Sequence, residues 1–254
     1  MNRAEFDLMA AVEREHWWYW GLRDLIARSL RRLGLPGDRT LSVLDAGCGT
    51  GENLRLLNEV LAPQYLGGFD LSPRALEHAA RKNPGADLYQ GDIRHPELHV
   101  AELDVITSCD VLDVPGADSA LPGLKRLVSA LRPGGLLLLN LPAFAWLRSR
   151  HDLAVHSRQR FTDRAVRQLL HDAALSVELV TYRVWAVFPL IVLARLPSII
   201  WPPSDPAAVH SDVAVPLAGA NTLLRWLLSA ENSAVDAGLR LPWGSSVFAI
   251  GRKI

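Results

Sequence analysis

The chain has 254 residues and carries 27 Lys or Arg and 27 Asp or Glu residues, so its formal net charge at pH 7 is +0. This length suits one large α/β domain with added segments rather than two independent domains. Nucleic-acid binding requires a concentrated basic surface, and the balanced charge argues against it.

The cysteine content and the N-terminal sequence predict a cytoplasmic protein. Cys48 and Cys109 are too few for a disulfide framework. The first residues, MNRAEFDLMAAVEREHWW, carry charges where a signal peptide needs an apolar core. We therefore expect reduced thiols in the cytoplasm.

Apolar residues recur at helical spacing from Phe6 to Leu33, and Gly34 and Pro36 end this predicted N-terminal extension. Strand and helix patterns then alternate, which indicates a parallel sheet with right-handed crossovers. The pattern predicts strands at 41–47, 65–72, 86–93, 103–112, 134–142 and 176–184, helices at 52–61, 73–82, 119–131 and 162–173, and an antiparallel last strand at 245–253. The predicted fold is a Rossmann-like, doubly wound, mostly parallel seven-stranded α/β sheet.

Residues 184–244 break this alternation with prolines, tryptophans and long apolar stretches, and they include a helical pattern at 221–236. We predict a helical cap inserted before the last strand. The expected organisation is an N-terminal helical lid at 1–36, a cofactor-binding core at 37–183 and 245–254, and an apolar cap at 184–244.

The most apolar stretch, 184–201, contains Pro189, Arg195 and Pro197, so its unbroken apolar run is too short to span a bilayer. A helix lying on a membrane surface needs a polar face rich in Lys or Arg, and only Arg183 and Arg195 supply one here. We expect this stretch to cover an acceptor, and a weak peripheral membrane contact stays the alternative.

The string VLDAGCGTG at 43–51 places Gly47, Gly49 and Gly51 in the turn between the first strand and its helix. Glycines there let the backbone approach a ligand, and the helix that follows presents free N–H groups. A dinucleotide site has the spacing GxGxxG, whereas this turn has GxGxG. The spacing disfavours a nicotinamide cofactor.

Asp70 ends the second predicted strand about 20 residues after the glycine turn, where an acidic residue reaches ribose hydroxyls in Rossmann-type sites. An acidic residue, Asp92, also ends the third predicted strand. For either carboxylate alone, a helix cap or turn role is an equally good interpretation.

VLDAGCGTG resembles the first motif of class I S-adenosylmethionine-dependent methyltransferases, and LRPGG at 131–135 is similar to the family's turn into the fifth strand. The segment EHWWYWGLRDLI at 15–26 resembles the HWWFRGRR-type N-terminal helix of a bacterial small-molecule methyltransferase subgroup. Trp20 and Leu22 stand where that subgroup has arginines. Asp113 and Val114 stand where the family often has Glu and His, which removes one acid/base residue.

The resemblance implies S-adenosylmethionine as the cofactor, with Asp92 and Ile93 at the adenine. The aromatic residues 17–20 are consecutive and point all around their helix, so they cannot all face one core. We expect some of them to form a lid, and burial in the core is the alternative. His16, His151 and His156 are the candidate bases, although a lone histidine is more often structural. No metal-ligand spacing recurs, so we expect no metal. The predicted cofactor-binding residues are Asp45, Gly47, Cys48, Gly49, Gly51, Asp70, Leu71, Asp92, Ile93, Cys109, Trp17 and Tyr19.

The sequence therefore predicts an enzyme that transfers the methyl group of S-adenosylmethionine to a small acceptor. The tryptophan-rich cap favours an apolar or aromatic acceptor, such as a lipid-linked or secondary metabolite. The alternatives are a non-catalytic binding or interaction protein of the same fold and, less well supported, a nicotinamide-dependent reductase.

Overall fold

The computed structural model describes residues 3–35, 40–112, 120–148, 159–200, 216 and 218–254, without the side chains of 197–200 and 218. The helices are α1 (Arg3–Val12), α2 (Trp17–Leu33), α3 (Glu52–Leu61), α4 (Pro73–Lys82), α5 (Leu121–Ala130), α6 (Asp163–Asp172), α7 (Phe188–Ile200) and α8 (Ala218–Asp236). The strands are β1 (Ser42–Ala46), β2 (Tyr65–Asp70), β3 (Asp87–Gln90), β4 (Leu103–Cys109), β5 (Leu131–Pro142), β6 (Leu175–Arg183) and β7 (Ser246–Lys253).

The strands form one seven-stranded sheet in the order β3-β2-β1-β4-β5-β7-β6. The pairs β1–β2, β1–β4, β2–β3 and β4–β5 are parallel. Strand β7 is antiparallel to both β5 and β6, which makes β5 and β6 parallel to each other. The predicted Rossmann-like sheet with an antiparallel last strand is confirmed.

Helices α3 and α4 have the predicted bounds because local signals fix their ends. Helix α3 begins directly after Gly51, which is left-handed with φ 87°. Helix α4 begins after Ser72, whose side chain accepts a hydrogen bond from the Ala75 N–H, and Pro73 occupies the first helical position. The predicted bounds of both helices are confirmed.

The N-terminal extension differs from the single helical run expected over 6–33. It is two helices, because the chain leaves helical geometry between Val12 and Trp17. His16 is extended, with ψ 126°, and caps α2 through its side chain. Helix α2 buries a leucine-rich face in the core, where each large side chain is worth ~1.5–3 kcal/mol.

Helices α2 and α8 pack closely at Gly21, where a Cβ atom would lie 2.3 Å from Leu228 Cδ1. Asn232 Nδ2 also donates hydrogen bonds to Gly21 O at 2.8 Å and to Asp24 Oδ2 at 2.9 Å. Helix α2 and the last helix therefore form one packed unit. Within the part of the chain that the structure describes, no helix is long and apolar enough to cross a membrane.

Candidate cofactor and acceptor site

The carboxyl ends of six strands meet at one edge of the sheet. Strands β1 to β6 all run in the same direction. Open α/β sheets bind ligands outside this edge, at the point where the strand order reverses. That point lies here between β1 and β4, which flank each other at the centre of the sheet.

The glycine turn lies at this switch point and is pinned to β2. The N–H groups of Gly47 and Cys48 both donate to Phe69 O, each at 2.8 Å. A Cβ atom at Gly47 would lie 2.4 Å from Val111 Cγ2, whereas one at Gly49 would meet only Met9 Cε, at 3.5 Å. Gly47 is therefore required for packing, and Gly49 leaves its backbone open to a ligand.

Asp70 ends β2 beside the glycine turn, as predicted. Its Oδ2 accepts a hydrogen bond from the Gly49 N–H at 3.0 Å, and its Oδ1 accepts one from the Ser72 N–H at 2.8 Å. Burial raises the pKa of this carboxyl, and the two backbone N–H groups act in the opposite direction. The carboxylate is thus held in place next to the turn.

Asp45 lies in the central strand and is 1% exposed. Thr107 Oγ1 donates a hydrogen bond to its Oδ1 at 2.5 Å, while Oδ2 is buried with no hydrogen-bond partner in the described part of the chain. Burial raises the pKa of Asp45 to about 7, and the charge of Asp70 adds to the rise. The switch point therefore contains a buried polar atom that a ligand could satisfy.

Cys48 and Cys109 flank this carboxylate. Cys109 ends β4, whereas Cys48 lies in the glycine turn, two residues past the end of β1. Burial raises the pKa of each thiol well above its ordinary value, and the charge of Asp45 raises both further. Both thiols are neutral near pH 7, which suits an apolar lining rather than nucleophiles.

Asp92 and Ile93 follow β3, which ends at Gln90 and so is shorter than predicted. Asp92 forms an ion pair with Arg94, which also donates its backbone N–H to Asp92 Oδ1 at 2.9 Å. This contact lowers the pKa of Asp92. Ile93 is buried, and Leu71, beside Asp70, is 59% exposed. Of these two apolar residues, Leu71 is the one that presents its side chain at this edge.

Two aromatic residues at the start of α2, Trp17 and Trp18, pack against a small apolar cluster of Val184, Val187 and Leu228. The Trp17 N–H donates to Asn221 Oδ1 at 3.0 Å. His16 Nδ1 accepts from the Trp18 N–H at 3.3 Å, so this ring is a helix cap. Burial raises the pKa of Tyr19, with a further contribution from the charges of Glu13 and Asp110. The candidate bases His151 and His156, together with Asp113 and Val114, lie outside the described residues.

Three charged residues at this edge were not predicted as site residues. Glu13 accepts hydrogen bonds from Thr50 Oγ1 in the glycine turn and from Lys82 Nζ. Glu231 accepts three backbone hydrogen bonds after β6. Arg183 was counted above as a charge for a membrane surface, but it is 1% exposed and cannot serve there. No short motif marks these residues, because their partners are distant in sequence.

Comparison with known proteins identifies the central part of the sheet. Residues 43–135 match a family described as a methyltransferase domain. A trans-aconitate 2-methyltransferase from Azoarcus sp. (strain BH72) is 34% identical over 121 residues, which are 47% of this chain and 44% of that protein. One from Escherichia coli (strain 55989 / EAEC) is 30% identical over 132 residues, 51% of each protein. The chain therefore spans about half the length of the curated relatives it matches.

Residues 43–135, which contain the glycine turn and the strands β2, β3 and β4, are therefore similar to methyltransferase domains. Solved structures extend the fold likeness over the whole chain. An S-adenosylmethionine dependent methyltransferase from Mesorhizobium loti has TM-score 0.57 at 17% identity, covering 89% of this chain and 96% of that one. A chain from the complex of the Haloferax volcanii Trm112 methyltransferase activator with its partner has TM-score 0.57 at 17% identity, covering 98% and 96%.

The methyltransferase domain has S-adenosylmethionine as its cofactor, and the residues at the switch point fit that molecule. Gly49 leaves the backbone of the turn approachable, since a Cβ atom added there would have Met9 Cε, at 3.5 Å, as its nearest neighbour. Asp70 presents a fixed carboxylate beside the turn. Asp45 Oδ2 is a buried acceptor with no partner among the described residues. These groups suit the hydroxyl and amino donors of the cofactor.

Proposed function

We propose that this chain transfers the methyl group of S-adenosylmethionine to a small acceptor bound at the carboxyl edge of β4, β5 and β6. The observation that carries the proposal is the Asp70 carboxylate, held against the glycine turn by the Gly49 N–H at 3.0 Å. This arrangement binds ribose hydroxyls in Rossmann-type sites. We extend the cofactor site to all the residues predicted above, including Leu71, Asp92, Ile93, Trp17 and Tyr19.

When bound, S-adenosylmethionine supplies a methyl group that is activated by a positively charged sulfur. The acceptor atom uses its lone pair to bond the methyl carbon, the carbon–sulfur electron pair stays on sulfur, and any acceptor proton passes to solvent or a base. The protein contributes positioning and the exclusion of water. A base is required only when the acceptor keeps its proton near neutral pH.

An apolar or aromatic acceptor suits the side chains that follow β5. Phe144 stacks on Tyr182 with ring centroids 5.0 Å apart. Trp146 lies 5.7 Å from Phe144, and Phe188 of α7 lies 6.0 Å from it. Trp146 is 51% exposed, so this aromatic cluster has an open side. We propose that residues 184–244 cover the acceptor at this open side. We also propose that residues 1–36 form a lid over the cofactor or acceptor, and that the chain belongs to the bacterial small-molecule methyltransferase subgroup.

The cofactor assignment is tested by isothermal titration of S-adenosylmethionine and S-adenosylhomocysteine into the parent protein and into Asp70→Asn. The amide turns one N–H donor toward the backbone donors of Gly49 and Ser72, so we expect affinity to fall about tenfold or more. Asp87→Asn on β3 is the control. Unchanged affinity in Asp70→Asn, or tighter binding of NADH than of S-adenosylmethionine, would contradict the proposal.

The proposal of an apolar or aromatic acceptor is tested by measuring methyl transfer from radiolabelled S-adenosylmethionine to a panel of aromatic and aliphatic small molecules. Phe188→Ala should lower turnover and leave cofactor affinity intact. Leu190→Ala is the matched control, since Leu190 lies on the same helix and is 62% exposed. Tight cofactor binding without turnover of any acceptor would favour the non-catalytic alternative.

A further inference from the structure

Arg183 is a buried cation whose donors are incompletely used. It ends β6 and is 1% exposed. Its Nη2 donates to Trp18 O at 3.1 Å, and its guanidinium carbon lies 5.2 Å from the centroid of the Trp18 ring. Its Nη1 is buried and has no hydrogen-bond partner among the described residues. A buried, charged donor of this kind is costly unless an oxygen atom binds it.

The strand register places the Arg183 side chain on the same face of the sheet as Asp45, which lies at the switch point. Arg183 pairs with Ser246, which pairs in turn with Pro142. Two residues earlier in β5, Asn140 pairs with Cys109. Because side chains alternate faces along a strand, Arg183, Asn140 and Cys109 all lie on the same face. That face also carries Asp45, which pairs with Thr107 two residues before Cys109.

The two carboxylates whose charges act on Arg183 are engaged elsewhere. Glu231 accepts from the N–H groups of Val184, Trp185 and Ala186 at 2.6, 2.8 and 3.1 Å. Asp110 accepts from Asn140 Nδ2 at 2.9 Å through both of its oxygens. No ion pair between described residues includes Arg183. Its Nη1 donor is therefore available to an oxygen from outside the chain.

Of the six non-glycine residues with left-handed backbone that the structure describes, three lie at the same edge. Asp110 follows β4 with φ 56°, Phe144 lies after β5 with φ 55°, and Val184 follows β6 with φ 61°. Left-handed geometry costs a non-glycine residue about 1–3 kcal/mol, and most of all a β-branched one such as Val184. Strain of this kind collects at ligand sites, where the surrounding structure holds it in place. These three residues follow β4, β5 and β6, the strands at whose carboxyl ends we place the acceptor.

We propose that Arg183 binds a carboxylate of the acceptor, so that the substrate class is a small carboxylic acid. This inference rests on the function proposed above. A guanidinium presents its N–H groups in a planar fork that matches a carboxylate, and an anion also neutralises its buried charge. A neutral carbonyl group would satisfy the Nη1 donor and leave the charge uncompensated. The Trp18 ring beside the guanidinium offers an apolar surface to the rest of the acid.

The test compares acids with their own amides. Isothermal titration measures the binding of benzoate against benzamide, trans-cinnamate against trans-cinnamamide and hexanoate against hexanamide, with the protein saturated by S-adenosylhomocysteine. We expect at least one acid to bind about tenfold or more tightly than its amide. Arg183→Gln should abolish that preference, and Arg183→Lys should keep part of it. Arg252→Gln is the control, because Arg252 pairs with Glu178 near the opposite end of β6.

The outcomes separate the two proposals. Failure of the parent protein to bind S-adenosylhomocysteine contradicts the proposed function itself. Normal binding of S-adenosylhomocysteine with no acid preference in any pair overturns the role of Arg183 alone. An acid preference that survives in folded Arg183→Gln, or a loss of S-adenosylhomocysteine affinity in that variant, also overturns it. Should Arg183→Gln not fold, the parent protein's three acid–amide pairs and Arg183→Lys still decide.

Discussion

At the scale of single residues, Asp45 combines complete burial with an unsatisfied oxygen at the centre of the sheet. The sequence predicted Asp45 as a cofactor-binding residue because it precedes the glycine turn. The raised pKa could not be predicted, because it depends on the removal of water by β2, β4 and the helices above them. Such buried carboxylates weaken the fold when they are ionised.

Asp45 is expected to make the stability of the protein depend on pH. Burial raises its pKa from 3.8 to about 7 in the folded state. Between these values the folded protein binds a proton that the unfolded chain lacks, so its stability falls as pH rises. Asp45→Asn removes this effect. The variant should gain about 2 kcal/mol relative to the parent between pH 5 and pH 7, at about 1.4 kcal/mol per pH unit.

Chemical unfolding at pH 5, 6, 7 and 8 measures this difference. Asp87→Asn serves as the control, since Asp87 is half-buried on β3 and bonds Tyr65 Oη at 2.9 Å. A free-energy difference between Asp45→Asn and the parent that stays constant over this pH range would contradict the raised pKa.

The glycines of the turn are expected to separate packing from cofactor binding. A Cβ atom at Gly51 would lie 2.7 Å from Ala79 Cα, so Gly51→Ala forces helices α3 and α4 apart and should cost about 1–3 kcal/mol. Both glycines are left-handed, so an alanine is strained at either position, but Gly49→Ala meets no atom closer than 3.5 Å and should cost less stability than Gly51→Ala. It places a methyl group where the cofactor approaches and should lower cofactor affinity more than Gly51→Ala does.

Thermal unfolding and titration of S-adenosylmethionine measure the two effects in each variant. Equal losses of stability in Gly49→Ala and Gly51→Ala would show that Gly49 is also a packing position. The sequence predicted the three glycines together, because the motif is contiguous. Their different neighbours come from Val111, Ala79 and Met9, which lie far from the turn in sequence.

At the scale of elements, local patterns predicted the core well and its attachments less well. The spacing of apolar residues and the caps defined α3 and α4 correctly. Strand β5 begins at Leu131, before the predicted turn at Pro133 and Gly134, because its pairing with β4 starts at Leu103. The break between α1 and α2 was missed, since the turn depends on Arg23, which donates to Glu13 O at 2.7 Å and to Arg14 O at 2.9 Å.

Glu13 is expected to couple the N-terminal helices to the glycine turn. It follows α1 and bonds Thr50 in the turn and Lys82 at the end of α4. Glu13→Gln loses the ion pair with Lys82 and weakens the hold on Thr50. We expect cofactor affinity to fall several-fold, with a stability loss of about 1–3 kcal/mol for the buried pair.

The matched control is Glu15→Gln, two residues away, where an exposed carboxylate pairs with Arg225 at 2.9 Å. An exposed ion pair is worth about 0–1 kcal/mol, so this variant should resemble the parent. Equal cofactor affinity in both variants, measured by titration, would mean that α1 and α2 cover the core without influencing the turn.

At the scale of the whole molecule, the cofactor half and the acceptor half that we propose share one edge of the sheet. Most of the proposed cofactor residues lie between Asp45 and Ile93, where motifs predict them, and Trp17, Tyr19 and Cys109 lie outside that stretch. The acceptor half is assembled from residues far apart along the chain: Arg183 contacts Trp18 across 165 positions, and Glu231 contacts Val184 across 47. No local pattern records such contacts.

Glu231 is expected to hold the acceptor half together. Its carboxylate caps the N–H groups of Val184, Trp185 and Ala186, and so fixes α8 to the chain directly after Arg183. Burial raises the pKa of Glu231, and these N–H groups act in the opposite direction. Glu231→Gln keeps one acceptor oxygen and turns an NH2 group toward the backbone donors. We expect a loss of about 1–3 kcal/mol in unfolding free energy.

Glu231→Gln is expected to affect methyl transfer more than cofactor binding. Its three partners follow β6, whereas the glycine turn and Asp70 lie beyond β4 and β1, so cofactor affinity should stay near that of the parent. Methyl transfer should fall, because the strained Val184 and the neighbouring Arg183 lose their support. The control is Glu178→Gln on β6, the strand that ends at Arg183. This variant loses only the half-exposed ion pair with Arg252, at 2.6 Å. Titration of the cofactor and turnover of the acceptor are measured in parallel. If Glu231→Gln loses cofactor binding and methyl transfer equally, the two halves are one cooperative site.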